Sequence, residues 1–171
     1  KQGNINAELV CDALATSDRR IMGPGYMKPG MGDGGACHPR DNIALRFMAE
    51  ELDLGYDMFA EIMKARDIQA MNMAEAILKH GTIVYFTSDS YKPHVPYTNG
   101  SYSLLVQSYV KELGGDIVIT PSDPCEVIVR VHESDEIPED FSIGKDVVIF
   151  DPWRSYDSVI YKVIHYGNTR K

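Results

Sequence analysis

Gly81-Thr82-Ile83-Val84-Tyr85-Phe86-Thr87 is where the chain changes its period. Upstream, apolar residues recur every three to four positions. Here β-branched and aromatic side chains run together, as a buried strand requires. A helical pattern follows at residues 100–113 and a second strand-like run at 116–120, which completes a β-α-β unit. Short apolar runs at 126–131, 147–150 and 159–165 add further strands. The fold class is α/β: a helical portion, residues 1–80, precedes a small, mainly parallel α/β domain, residues 81–171.

Three helices are expected before that point. Leu9, Val10, Ala13 and Leu14 give residues 5–15 a helical stripe. Pro39 and Asp41 stand in the first turn of a second helix, which carries Ile43, Leu45, Phe47, Met48 and Leu52. Residues 56–79 form the longest, with Met58, Phe59, Ile62, Ile68, Met71 and Ile77 on more than one face and Gly81 beyond its end. Such a helix is buried either against a partner or inside its own subunit.

Composition narrows the function classes. A net charge of −8 opposes binding to a nucleic-acid backbone, while leaving room for a local pocket that takes one small phosphate ligand. No apolar run approaches the ~20 residues of a membrane span, and no signal segment opens the chain, so a soluble, cytoplasmic protein is expected. Cys11, Cys37 and Cys125 lack paired-ligand spacing and read as reduced thiols, and the histidines are scattered, so no metal site is expected. The chain starts at Lys1, close to its first helix, which suggests a boundary inside a longer protein.

The richest chemistry lies in Gly30-Met31-Gly32-Asp33-Gly34-Gly35-Ala36-Cys37-His38-Pro39-Arg40-Asp41, part of a loop expected over residues 23–41. Glycines let a backbone approach a ligand closely, and their amides can bind oxyanions. Cys37 is expected just before a helix N-terminus with Arg40 nearby, and both features favour a thiolate nucleophile. A small buried thiol beside a helix-start acid, Asp41, would account for the same residues.

This stretch resembles the Gly-x-Gly-Gly-x-Cys-x-Pro-Lys-Asp signature of the UDP-glucose and GDP-mannose dehydrogenase family. The likeness extends to Asp18-Arg19-Arg20-Ile21, to Gly23-Pro24-Gly25-Tyr26-Met27-Lys28-Pro29-Gly30, and to Tyr91-Lys92-Pro93 after the first strand. The resemblance implies a helical central domain that dimerises, here as a homodimer through residues 56–79, followed by a Rossmann-like domain that helps to bind the nucleotide sugar. It also implies a reaction serving polysaccharide biosynthesis: NAD oxidises the sugar's C6 alcohol twice, and a cysteine carries the aldehyde as a thiohemiacetal and then a thioester. Carried over by position, Cys37 is the nucleophile, and Asp41 activates water or orders the thiol. Arg20, Tyr26, Gly30, Gly34 and Lys92 then meet the substrate.

Departures are visible. Arg40 stands where the family has lysine, Asp33 where it is often aromatic, and Asn99 where an arginine would approach the cofactor diphosphate. No Gly-x-Gly-x-x-Gly turn follows a strand, so the cofactor-binding residues are unknown, and the chain alone is expected not to turn over. The competing expectation is an inactive nucleotide-sugar-binding or dimerisation module.

Overall fold

The structure, a computed structural model, describes residues 4–16, 28–33, 35–120, 123–137 and 146–168. In chain order the elements are α1 (Ala7–Ala15), α2 (Cys37–Glu51), α3 (Met58–Leu78), β1 (Ile83–Phe86), α4 (Tyr102–Glu112), β2 (Asp116–Val118), β3 (Val127–Val129), β4 (Val148–Asp151) and β5 (Lys162–His165). The strands form one sheet in the order β2-β1-β3-β4-β5, parallel at every pairing.

Local chemistry explains where the helices begin. The Asn6 side chain accepts from the amides of Glu8 and Leu9 at 2.9 and 3.2 Å, and Asp57 accepts from Ala60 at 2.8 Å, so both cap orphan donors of a first turn. Helix α2 starts without a polar cap, on Ala36. It also starts slightly earlier than the sequence suggested: Pro39 lies in its first turn as expected, but Cys37 is the first helical residue rather than the one before it. Pro39 permits this, because the amides of a first turn have no acceptor within the helix and its missing N–H costs nothing there.

The strand expected at 159–165 is shortened to Lys162–His165 for an equally local reason. The Ser158 hydroxyl accepts from the amides of Ile160 and Tyr161 at 3.1 and 3.0 Å, which takes donors a ladder would need.

Helices α3 and α4 cover one face of the sheet. Ala70, Met73, Ala74 and Ile77 of α3 join Val106 and Val110 of α4, with Val84, Phe86, Val127, Val129 and Phe150 beneath them, in one buried cluster. Ile128 and Ile149 point to the opposite face, against Tyr85, Tyr161 and Val163. The central strands β3 and β4 are therefore buried on both sides, as parallel strands usually are. The second half of α3 belongs to the same core as the sheet. Helix α2, by contrast, buries Ala49 alone and leaves Ile43, Phe47, Met48 and Leu52 exposed.

Candidate functional site

The order β2-β1-β3 sends the chain from β1 through α4 to one side and brings it back as β3 on the other. Ligands of open α/β sheets bind in the crevice at such a switch point, beyond the carboxyl ends of the strands. Here the rim is tied across that crevice. Thr87, just after β1, accepts from the Val131 amide at 2.9 Å and donates to Asp135. The His132 ring stands 3.0 Å from Asp135 and 3.1 Å from the Ser90 carbonyl oxygen.

The glycine-rich loop lies directly over this rim. A Cβ on Gly30 would sit 2.8 Å from the Trp153 ring, and one on Gly32 would sit 2.5 Å from the Tyr102 ring. Gly35 abuts Tyr91, the residue before Lys92, and both Gly32 and Gly35 have positive φ, 145° and 112°. Only glycine satisfies both demands at once. Trp153 is fixed from behind: its indole N–H donates to the Val131 carbonyl at 3.0 Å. The loop and the rim enclose a cavity of about 90 Å3, lined in part by Asp33, Ser90, Tyr91, Tyr102 and Trp153. Burial raises the Tyr102 hydroxyl far above the usual phenol range, so it remains a neutral donor.

Cys37 opens α2 at the end of this loop and is exposed. Arg40 donates to Asp41 at 2.8 Å, and its guanidinium is held above its ordinary range first by Asp41 and then by the nearby Cys37. A cation thus faces the thiol, while the Asp41 carboxylate is engaged by Arg40. Lys92 is exposed, with its Nζ 5.3 Å from the centroid of the Tyr91 ring, so the Tyr91–Gly35 contact brings its segment against the cysteine loop. Gly30, Cys37, Asp41 and Lys92 are therefore carried on segments that meet at this crevice. Arg20, Tyr26 and Gly34 lie outside the described residues.

The sequence did not single out Arg66 or the partnership of Asp33. Arg66 of α3 pairs with Asp33 in the loop, and His38 Nδ1 stands 3.6 Å from the same carboxylate. A basic residue set among the apolar positions of a core helix was the available signal. A larger cavity, about 640 Å3, opens between Arg130, residues 133–137 and residues 156–161, and none of the loop residues lines it. Among the described residues no group of three His, Cys, Asp or Glu side chains could hold a metal ion, and no helix is long and apolar enough to cross a membrane.

The environments of Cys37 and Cys125 differ enough to test. Cys37 is exposed, whereas burial pushes the Cys125 thiol up to about 11. Limited iodoacetamide treatment at pH 8, read by peptide mass spectrometry, is expected to label Cys37 at least about tenfold faster than Cys125. Equal rates would contradict the packing around Cys125.

Residues 1–78 match the UDP-glucose/GDP-mannose dehydrogenase family, central domain. That match covers a little under half of the chain. Among curated relatives, the chain is similar to GDP-mannose 6-dehydrogenase of Pseudomonas aeruginosa, 28% identical over 82 residues, which cover 48% of this chain and 19% of that protein. It is similar to GDP-mannose 6-dehydrogenase of Pseudomonas putida, 36% identical over 80 residues, 47% of this chain and 18% of that one. It is also similar to UDP-glucose 6-dehydrogenase YwqF of Bacillus subtilis, 23% identical over 161 residues, 87% of this chain and 36% of that one. A likeness of fold extends through the sheet: a ternary complex of GDP-mannose dehydrogenase from P. aeruginosa superposes with a TM-score of 0.59 over 93% of this chain and 45% of that one, at 16% identity. The chain thus spans less than half the length of each of these proteins.

Proposed function

We propose that this chain is a portion of an NAD-dependent nucleotide-sugar 6-dehydrogenase, which oxidises the C6 alcohol of a UDP- or GDP-sugar to a uronic acid. The observation that carries the reading is the Cys37 loop lying across the carboxyl ends of β1, β3 and β4, in a stretch whose relatives are dehydrogenases of such sugars. Residues 1–80 then supply the thiol and the dimer contact, and residues 81–171 bind the nucleotide sugar in the switch-point crevice. Cys37 attacks the C6 aldehyde, Arg40 stabilises the charged thiol, and Asp41 orients the hydrolytic water. Lys92, Arg20, Tyr26 and the amides about Gly30 and Gly34 hold the substrate.

Among the described residues, the connection after β1 does not suit a dinucleotide pyrophosphate. The connection after β1 has one glycine, Gly100, whose Cα faces the backbone of Ala36 and the ring of Pro39, so no open phosphate turn exists there. In this reading NAD is bound mainly by a further domain, and the chain alone is expected not to turn over. A homodimer through residues 56–79, a cytoplasmic location and a role in polysaccharide biosynthesis belong to the same reading. Within that range Tyr56, Met58 and Ile68 are exposed apolar side chains available to such a contact.

A second reading, a module that binds the nucleotide sugar without chemistry, is favoured by one observation: Asn99 takes the place of a cofactor-facing arginine. NAD reduction decides between them. Joined to a cofactor-binding domain of the family, the chain is expected to reduce NAD in the presence of UDP-glucose or GDP-mannose. Calorimetric binding of those sugars without any NAD reduction would favour the module.

A further inference from the structure

The geometry points to Arg66 as a positioning residue for the cysteine loop, a role that deepens the dehydrogenase reading and rests on it for its catalytic consequence. Arg66 leaves α3 in the middle of the helix and is nearly buried, with 9% of its side chain exposed. Its Nε donates to Asp33 Oδ2, and its Nη2 donates to the Gly100 carbonyl at 3.1 Å. Its guanidinium carbon sits 5.4 Å from the centroid of the Tyr102 ring. One planar cation therefore holds two separate stretches of chain: the glycine-rich loop, and the segment from Gly100 into the first turn of α4.

Those stretches are the ones that assemble the crevice. Asp33 passes the restraint into the loop, since its other oxygen accepts from the Gly35 amide at 3.4 Å, two residues before Cys37. Gly100 passes it back from the opposite side, because its Cα packs against the backbone of Ala36, the residue before Cys37. The start of α2 has no polar cap of its own, so its position depends on what grips the residues on either side of it. Arg66, half-buried as a residue, bonds to both sides of it. Arg66 acts through Asp33 and Gly100, not by touching substrate.

A lysine can neutralise Asp33 but lacks the fork that reaches Gly100 at the same time, and a glutamine is both uncharged and too short to bridge the two. Amide hydrogen exchange on the chain, with Arg66→Gln and Arg66→Lys, reads the clamp directly. In Arg66→Gln the amides of residues 30–40 are expected to exchange at least about tenfold faster, while those of 70–77 and 83–86 stay within about twofold. Arg66→Lys falls between, and Asp33→Asn added to Arg66→Gln brings no further acceleration. Unchanged exchange at 30–40, or equal acceleration throughout the core, overturns the clamp.

The catalytic consequence is read separately, with the chain joined to a cofactor-binding domain. Arg66→Gln is expected to lower kcat about tenfold and leave the KM for NAD unchanged. A loosened loop with undiminished kcat overturns the positioning role. Failure of the unsubstituted enzyme to oxidise any nucleotide sugar overturns the dehydrogenase reading instead, and the exchange result still decides whether Arg66 holds the loop.

Discussion

Asp151→Ala is expected to leave the chain largely unfolded at 25 °C. Asp151 closes β4, is fully buried, and accepts from four donors: Arg130 Nη1 at 3.1 Å and the amides of Trp153, Ser155 and Tyr156 at 3.1, 2.9 and 2.9 Å. Its partner Arg130 is 4% exposed, and its remaining bonds run to the carbonyls of Glu133 and Asp135 and to Ser155 Oγ. Removing the carboxylate leaves a buried cation without its counter-charge, which costs about 3–5 kcal/mol. Each amide left without an acceptor adds about 1–3 kcal/mol, though the terms are not additive. A domain stabilised by about 5–15 kcal/mol does not tolerate the sum. Asp151→Asn keeps the shape and part of the acceptor capacity and should be milder. Urea unfolding followed by circular dichroism checks both, and an unchanged midpoint for Asp151→Ala would refute the account of this cluster. The damage also reaches the crevice, because the turn that Asp151 builds carries Trp153, against which Gly30 packs.

The second large effect is chemical. Under the dehydrogenase reading, Cys37→Ser in the enzyme joined to its cofactor-binding domain lowers production of the uronic acid by at least about a thousandfold. A hydroxyl is a far weaker nucleophile toward the aldehyde at neutral pH, and an ester in place of a thioester is slower to hydrolyse. Stability should hardly move, by no more than about 0.5 kcal/mol, since Cys37 is exposed at the start of α2. A steady-state assay paired with a thermal melt separates the two quantities. Lost activity with an intact melt is expected, and a variant that melts early would point to a structural thiol.

Much of the fold could be read from local pattern. The change of period at Thr82, the apolar spacing of residues 56–79 and the glycine that follows each announce an element whose existence needs no distant contact. The family resemblance likewise rests on contiguous residues about Cys37, and the match over residues 1–78 agrees with it. What the sequence hid is long-range. Arg66 and Asp33 are separated by 33 residues, and Glu8 and Arg154, paired at 3.2 Å, by 146. Strand order is hidden for the same reason, since each strand carries its own pattern but no address for its neighbour. Even the local misreadings have local causes. Cys37 begins α2 instead of preceding it, and Ser158 captures two amides that the apolar run at 159–165 offered to a strand. Arg20, Tyr26 and Gly34 belong to the described residues neither singly nor as a cluster, so their roles rest on the resemblance alone.

Under the dehydrogenase reading, Cys37 carries the sugar during oxidation. That role is tested most directly by mixing the enzyme, joined to its cofactor-binding domain, with NAD and a nucleotide sugar for about one turnover, quenching in acid, and weighing the peptide that contains Cys37. The account predicts that peptide with the added mass of the nucleotide uronyl group as a thioester, absent from Cys37→Ser. An unmodified Cys37 peptide, with uronic acid formed at an equal rate by Cys37→Ser, would contradict it.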